Sequence, residues 1–100
     1  MSELEKIRIR DISTHVKGDK ERKPTVIEVE AGEIKFRVHR HISYPGTWLL
    51  TCDELGVEHE NLRTDDIEEA LHSAKIFMVG VIDGFVAVLA AARVVLVREE

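Results

Sequence analysis

The 100-residue sequence has one cysteine, two prolines and five aromatic side chains. A single cysteine, Cys52, rules out a disulfide within the chain and suggests a reducing, cytoplasmic setting, because small secreted domains commonly depend on disulfides. No glycine-rich phosphate loop, nucleophile elbow or paired histidine-carboxylate motif is present, so catalysis has no support and no enzyme activity is expected. The Cys-x2-Cys and His-x3-His spacings of zinc sites are also missing; neither a metal nor another cofactor is expected. The opening MSELEKIRIR has charges but no apolar run behind them, which is not the pattern of a secretory signal. Net charge is −5, so the whole chain is not steered toward phosphate backbones, and nucleic acid would need a local basic patch.

Apolar residues make up 44% and charged residues 33% of the chain, the balance of a soluble globular protein. No repeat or low-complexity segment divides it, and residues 1–100 read as one α+β domain. Residues 5–12 alternate, with Ile7 and Ile9 on one face and Lys6, Arg8 and Arg10 on the other, as in a half-buried strand. The polar, basic stretch 13–24 is a connection. Residues 25–30 and 33–42 form a hairpin. With Ala31-Gly32 as its turn, Val29 faces Ile34, Ile27 faces Phe36, and Glu28 sits opposite Lys35. Ser43-Tyr44-Pro45-Gly46 supplies a second turn, and residues 47–52 return as a strand with Trp48, Leu50 and Cys52 on one face. Residues 53–63 read as a polar loop with a short extended piece near Val57.

A helix then opens at Thr64 or Asp65, with Asp65 and Glu68 as a capping box. Its apolar stripe runs from Ile67 through Leu71, Ala74, Met78, Val81, Phe85, Val88, Ala92 and Val95. A continuous helix of this length would measure about 48 Å, whereas four strands side by side cover roughly 19 Å. One small sheet cannot bury it. Three outcomes stay open: a break at Gly80 to Gly84, a far half packed on another chain, or a returning edge strand from Arg93 onward. Gly80, Gly84, Ala87 and Ala91 share a face that permits close helix contact. The second outcome predicts a homodimer through Val81, Phe85, Val88 and Ala92. The run 76–97 is long enough to cross a bilayer. Asp83 and Arg93 within it each cost about 2.5–3.5 kcal/mol at a helix centre, so no membrane partner is expected.

The polar face of the second hairpin strand carries Lys35, Arg37, His39 and His41, a candidate partner-binding stripe for an acidic protein or a phosphate backbone. A solvated face balanced by Glu28 and Glu30 is the plainer explanation. Cys52 alternates in phase with Trp48, which marks it as a core side chain rather than a reactive thiol. Asp65, Asp66, Glu68 and Glu69 stand in a first helical turn, where carboxylates cap and offset the helix dipole.

Phe36-Arg37-Val38, Trp48-Leu49-Leu50-Thr51-Cys52, Glu54-Leu55-Gly56-Val57 and Asp66-Ile67-Glu68-Glu69-Ala70-Leu71 with Ala74 following come in an order that resembles the HicB-like antitoxin domain. That domain is a small sheet-and-helix unit related to a degraded RNase H fold, and the likeness covers about residues 34–75. It implies a protein that caps a small RNA-cleaving toxin, as an oligomer and without activity of its own. The chain departs from the family in its longer loop before the helix, in Thr64-Asp65-Asp66 where a Gly-Asp-Thr-like sequence is common, and in its extra N-terminal strand. It also shows no ribbon-helix-helix or helix-turn-helix segment. Small phage-encoded inhibitors of host defence complexes have sheet-plus-helix folds of this size as well. The expectation is therefore a small antiparallel sheet of three to five strands packed on a long C-terminal helix or helix pair, in a non-enzymatic protein that occludes a partner. An anti-CRISPR-like inhibitor and a nucleic-acid-binding module are the alternatives.

Overall fold

The computed structural model describes residues 7–14, 24–40 and 46–98. Five strands, β1 (Ile7–Asp11), β2 (Val26–Ala31), β3 (Ile34–Arg40), β4 (Trp48–Cys52) and β5 (Val57–Asn61), are followed by one helix, α1 (Ile67–Arg98). The strands form an antiparallel meander in chain order, β1-β2-β3-β4-β5. This is the expected α+β architecture. The second turn around Ser43 to Pro45 and most of the basic connection lie outside the described residues.

The central hairpin differs from expectation by two residues in register. Val29 pairs with Phe36, Ile27 with Val38, Glu28 with Arg37 and Glu30 with Lys35, around a Gly32-Glu33 turn. Gly32 has φ 61° and takes the first central position, where a two-residue turn of the II′ kind needs positive φ. The Ala31-Gly32 turn would have put alanine there. A shift of two leaves every side chain on its original face, so the apolar set survives although each partner changes. Residues 57–61, expected mostly as loop, instead pair with β4. The ladder slips by one residue between Leu50 and Cys52, and His59 sits in the bulge with φ 49°.

One face of the sheet carries Ile27, Val29, Phe36, Val38, Trp48, Leu50, Cys52 and Val57, all buried. Against them α1 lays Ala70, Ala74 and Met78 over β3 and β4. Ala70 and Ala74 are wholly buried, and their small side chains let the helix backbone approach the sheet. Each large apolar side chain in this cluster contributes about 1.5–3 kcal/mol by leaving water. Ile7 and Ile9 share the face of Val29 through the β1–β2 register, yet they are 48% and 49% exposed because α1 does not reach β1.

The helix starts one residue later than the expected capping box. Asp66 is the cap: its Oδ2 accepts from the Glu69 backbone N–H at 2.9 Å, and its carbonyl accepts from Ala70 N–H at 2.9 Å. Thr64 Oγ1 accepts from Asp66 N–H at 3.1 Å and donates to Glu69 Oε2 at 2.9 Å. Asp66→Ala should lower stability by about 1 kcal/mol in urea denaturation.

From Ile67 to Arg98 the helix is unbroken, which removes two of the three alternatives for its far half. There is no turn at Gly80 to Gly84 and no returning strand. A side chain added at Gly80 or Gly84 would meet nothing within 4 Å. The molecule extends 65 Å along its longest axis.

Candidate functional site

Two surfaces offer themselves for binding. The first is the sheet face turned away from α1. Arg10 pairs with Glu28, Lys35 Nζ lies 3.9 Å from Glu30 Oε2, and an Arg37 guanidinium nitrogen lies 3.4 Å from Asp53 Oδ2. Exposed pairs of this kind contribute little to stability. The basic stripe is thus partly neutralised along its length. The hydrogen bond from Arg10 holds the Glu28 carboxyl below its usual value near 4.5, with desolvation opposing and nearby cations assisting.

That depression has a definite sign. A carboxylate with a lowered folded pKa stabilises fully above its unfolded value, and the contribution disappears as pH falls below about 4.5 toward the folded value. The β1 amides should therefore lose hydrogen-exchange protection over that acid window. Glu28→Gln should weaken protection at neutral pH and flatten the pH dependence.

His39 stands at the centre of the same face. Its Nε2 lies 2.8 Å from Thr51 Oγ1, and its ring meets His59 edge-on at a centroid distance of 5.6 Å. Thr51 is buried, and its Oγ1 also accepts from the His59 backbone N–H at 3.3 Å. Around them Thr14, Thr25 and Arg37 help to line a concavity of about 410 Å³. Of the expected partner-binding residues, Lys35 and Arg37 are exposed, His39 is half-buried and His41 lies outside the described residues. Thr51 was not anticipated and meets His39 from the neighbouring β4, while His59 joins them through β5 and the bulge. The signal available was Val57, whose apolar character already hinted at an extended piece. Among the described residues, no group of three or more His, Cys, Asp or Glu side chains is arranged to hold a metal ion.

Arg40 works on the other face. Its guanidinium lies 4.5 Å from the Trp48 ring centroid, and both side chains donate to the Asp65 carbonyl, at 3.5 Å from Arg40 and 3.0 Å from Trp48 Nε1. This closes the end of the core where the chain enters α1. Cys52 is buried, as its phase with Trp48 implied, and its Sγ donates to the Lys35 carbonyl at 3.4 Å.

The second surface is the far half of α1. After Val81 every described helical residue is exposed. Phe85 is 45%, Val88 66%, Leu89 64% and Leu96 70% exposed. Of the expected oligomer residues, Val81 packs partly against the chain's own core, while Phe85, Val88 and Ala92 face solvent. An 18-residue window of this helix has a mean hydropathy of 2.1 with none of it buried, long and apolar enough to cross a membrane by length and composition.

No protein-family model, curated protein or solved structure matches the chain.

Proposed function

We propose that this chain is a non-enzymatic binding protein that neutralises a protein partner by covering its surface, in the manner of a HicB-like antitoxin. The observation that carries the reading is the bare apolar half of α1, projecting from a sheet domain whose own core is already complete. Exposed apolar surface of this extent is the mark of an association site. The order of Trp48, Leu55-Gly56-Val57 and the Asp66-capped helix supports the antitoxin type. The test is expression of the tagged full chain in its own host. Recovery of a small basic ribonuclease, inhibited stoichiometrically by the chain, is the expected result. Recovery of a large nucleic-acid-processing complex would favour an anti-CRISPR-like inhibitor instead, and recovery of neither would overturn the proposal.

Bilayer insertion is a second reading, favoured by the unburied hydropathic window. Asp83 and Arg93 weigh against it. Only nine uncharged residues, 84–92, separate them, about 14 Å of helix in a hydrocarbon layer about 30 Å thick.

A further inference from the structure

We propose that the bare half of α1 pairs with the same segment of a second copy of this chain, antiparallel, so that each Asp83 meets Arg93 of the partner subunit. Three observations converge on this arrangement. They do not depend on what the sheet face binds.

The first is the seam. Beyond Met78 the stripe that faces the sheet continues through Ile82, Phe85, Leu89, Ala92 and Leu96, at spacings that alternate between three and four. That is the spacing of a coiled-coil contact line. The sheet covers this line only as far as Met78 and Val81. Ile82 is already 38% exposed, and Leu96 reaches 70%.

The second is how the seam fits an inverted copy of itself. Antiparallel layers place Ile82 against Ala92 of the partner subunit and Phe85 against the partner's Leu89. Large side chains meet smaller or flexible ones, and a two-fold axis repeats each layer. The layers from 82 to 92, about 16 Å of helix, use only the part that the sheet leaves bare.

The third is charge. Between Lys75 and Arg98 the helix has only two charged residues, Asp83 and Arg93. Neither has an ion-pair partner among the described residues. Within one helix they are ten residues apart, about 15 Å along the axis, too far to pair. In a parallel pair each would lie level with its own kind. In the antiparallel layers above, Asp83 and the partner's Arg93 fall two residues out of level, about 3 Å. Both lie on the same side of the seam, within reach of an arginine side chain. The arrangement makes two opposite-charge pairs, whereas a parallel pair sets these residues on opposite flanks of the seam and makes none, which selects the orientation.

The experiment is sedimentation equilibrium of the full chain in detergent-free buffer, with far-UV circular dichroism as a control for folding. The wild type is expected to be dimeric at micromolar concentration. Asp83→Arg and Arg93→Asp should each weaken the dimer by about tenfold or more through like-charge contacts. The double variant, carrying both changes, should recover wild-type affinity. A monomeric wild type at 100 μM would overturn the pairing. Single variants as tight as the wild type, or a double variant that stays weak, would overturn the antiparallel register. A chain that stays in solution only with detergent and co-floats with phosphatidylcholine vesicles would assign the segment to a bilayer and overturn the proposal.

Discussion

Replacing Trp48 with alanine is expected to lower the unfolding free energy by about 3–5 kcal/mol. A chain of this length has roughly 5–15 kcal/mol in total, so the variant should be mostly unfolded by mild urea. Three contributions are lost together. Trp48 is 1% exposed, so a large cavity opens beneath α1. Its Nε1 donates at 3.0 Å to the Asp65 carbonyl, one residue before the helix cap. Its ring also supports the Arg40 guanidinium at 4.5 Å. Trp48→Phe separates these terms by keeping most of the apolar volume while removing the shorter of the two hydrogen bonds to the carbonyl, a bond that contributes about 0.5–1.5 kcal/mol. The only tryptophan is the residue being changed, so unfolding should be followed by far-UV circular dichroism.

The same substitution made at two points on α1 should give very different results. Ala74 is wholly buried between helix and sheet, and Ala74→Asp would place a charge there without a partner. Uncompensated buried charges of this kind cost about 3–5 kcal/mol, and the added volume strains the helix–sheet contact further. Ala87 lies thirteen residues along the helix, in its bare half. Ala87→Asp should cost no more than about 0.7 kcal/mol, the loss of helix propensity alone. Urea denaturation of both variants measures the contrast. Equal, large losses would mean that the far half of α1 belongs to the chain's own fold. A large loss at Ala74 alone would confirm that the helix has two separate roles, one before Val81 and one after it.

Those two roles explain why the sequence is only partly legible. The alternation in β2 to β4 marks the buried face whatever the register, because a shift of two residues preserves the period of a strand. Ile27, Val29, Phe36, Val38, Trp48, Leu50 and Cys52 could therefore be identified as core without knowing their partners. The pairing itself was decided by one backbone angle, the positive φ of Gly32, which a neighbouring alanine could not adopt at comparable cost. The polar site was harder to read. His39 was visible on a basic stripe, but Thr51 meets it through the β3–β4 pairing, and His59 joins them only because β5 pairs with β4 through a bulge. Residues Val57–Asn61 are four-fifths exposed and polar, so only Val57 pointed to an extended piece, and the other four residues read equally well as loop.

The final third of the chain shows the division most clearly. By itself the sequence determined that 64–97 is helical in tendency, acidic at its start, apolar along one continuous stripe and too long for a small sheet. These follow from local spacing and from simple lengths, which need no partner. Only the tertiary structure decided that the helix runs unbroken through Gly80 and Gly84 and that the sheet's cover ends near Val81. Glycine weakens a helix by about 1 kcal/mol without forbidding it, so the flanking apolar turns carry it through. Where the cover ends depends on how far β3 and β4 extend beneath the helix, and that is set by strand pairing, which no local pattern encodes.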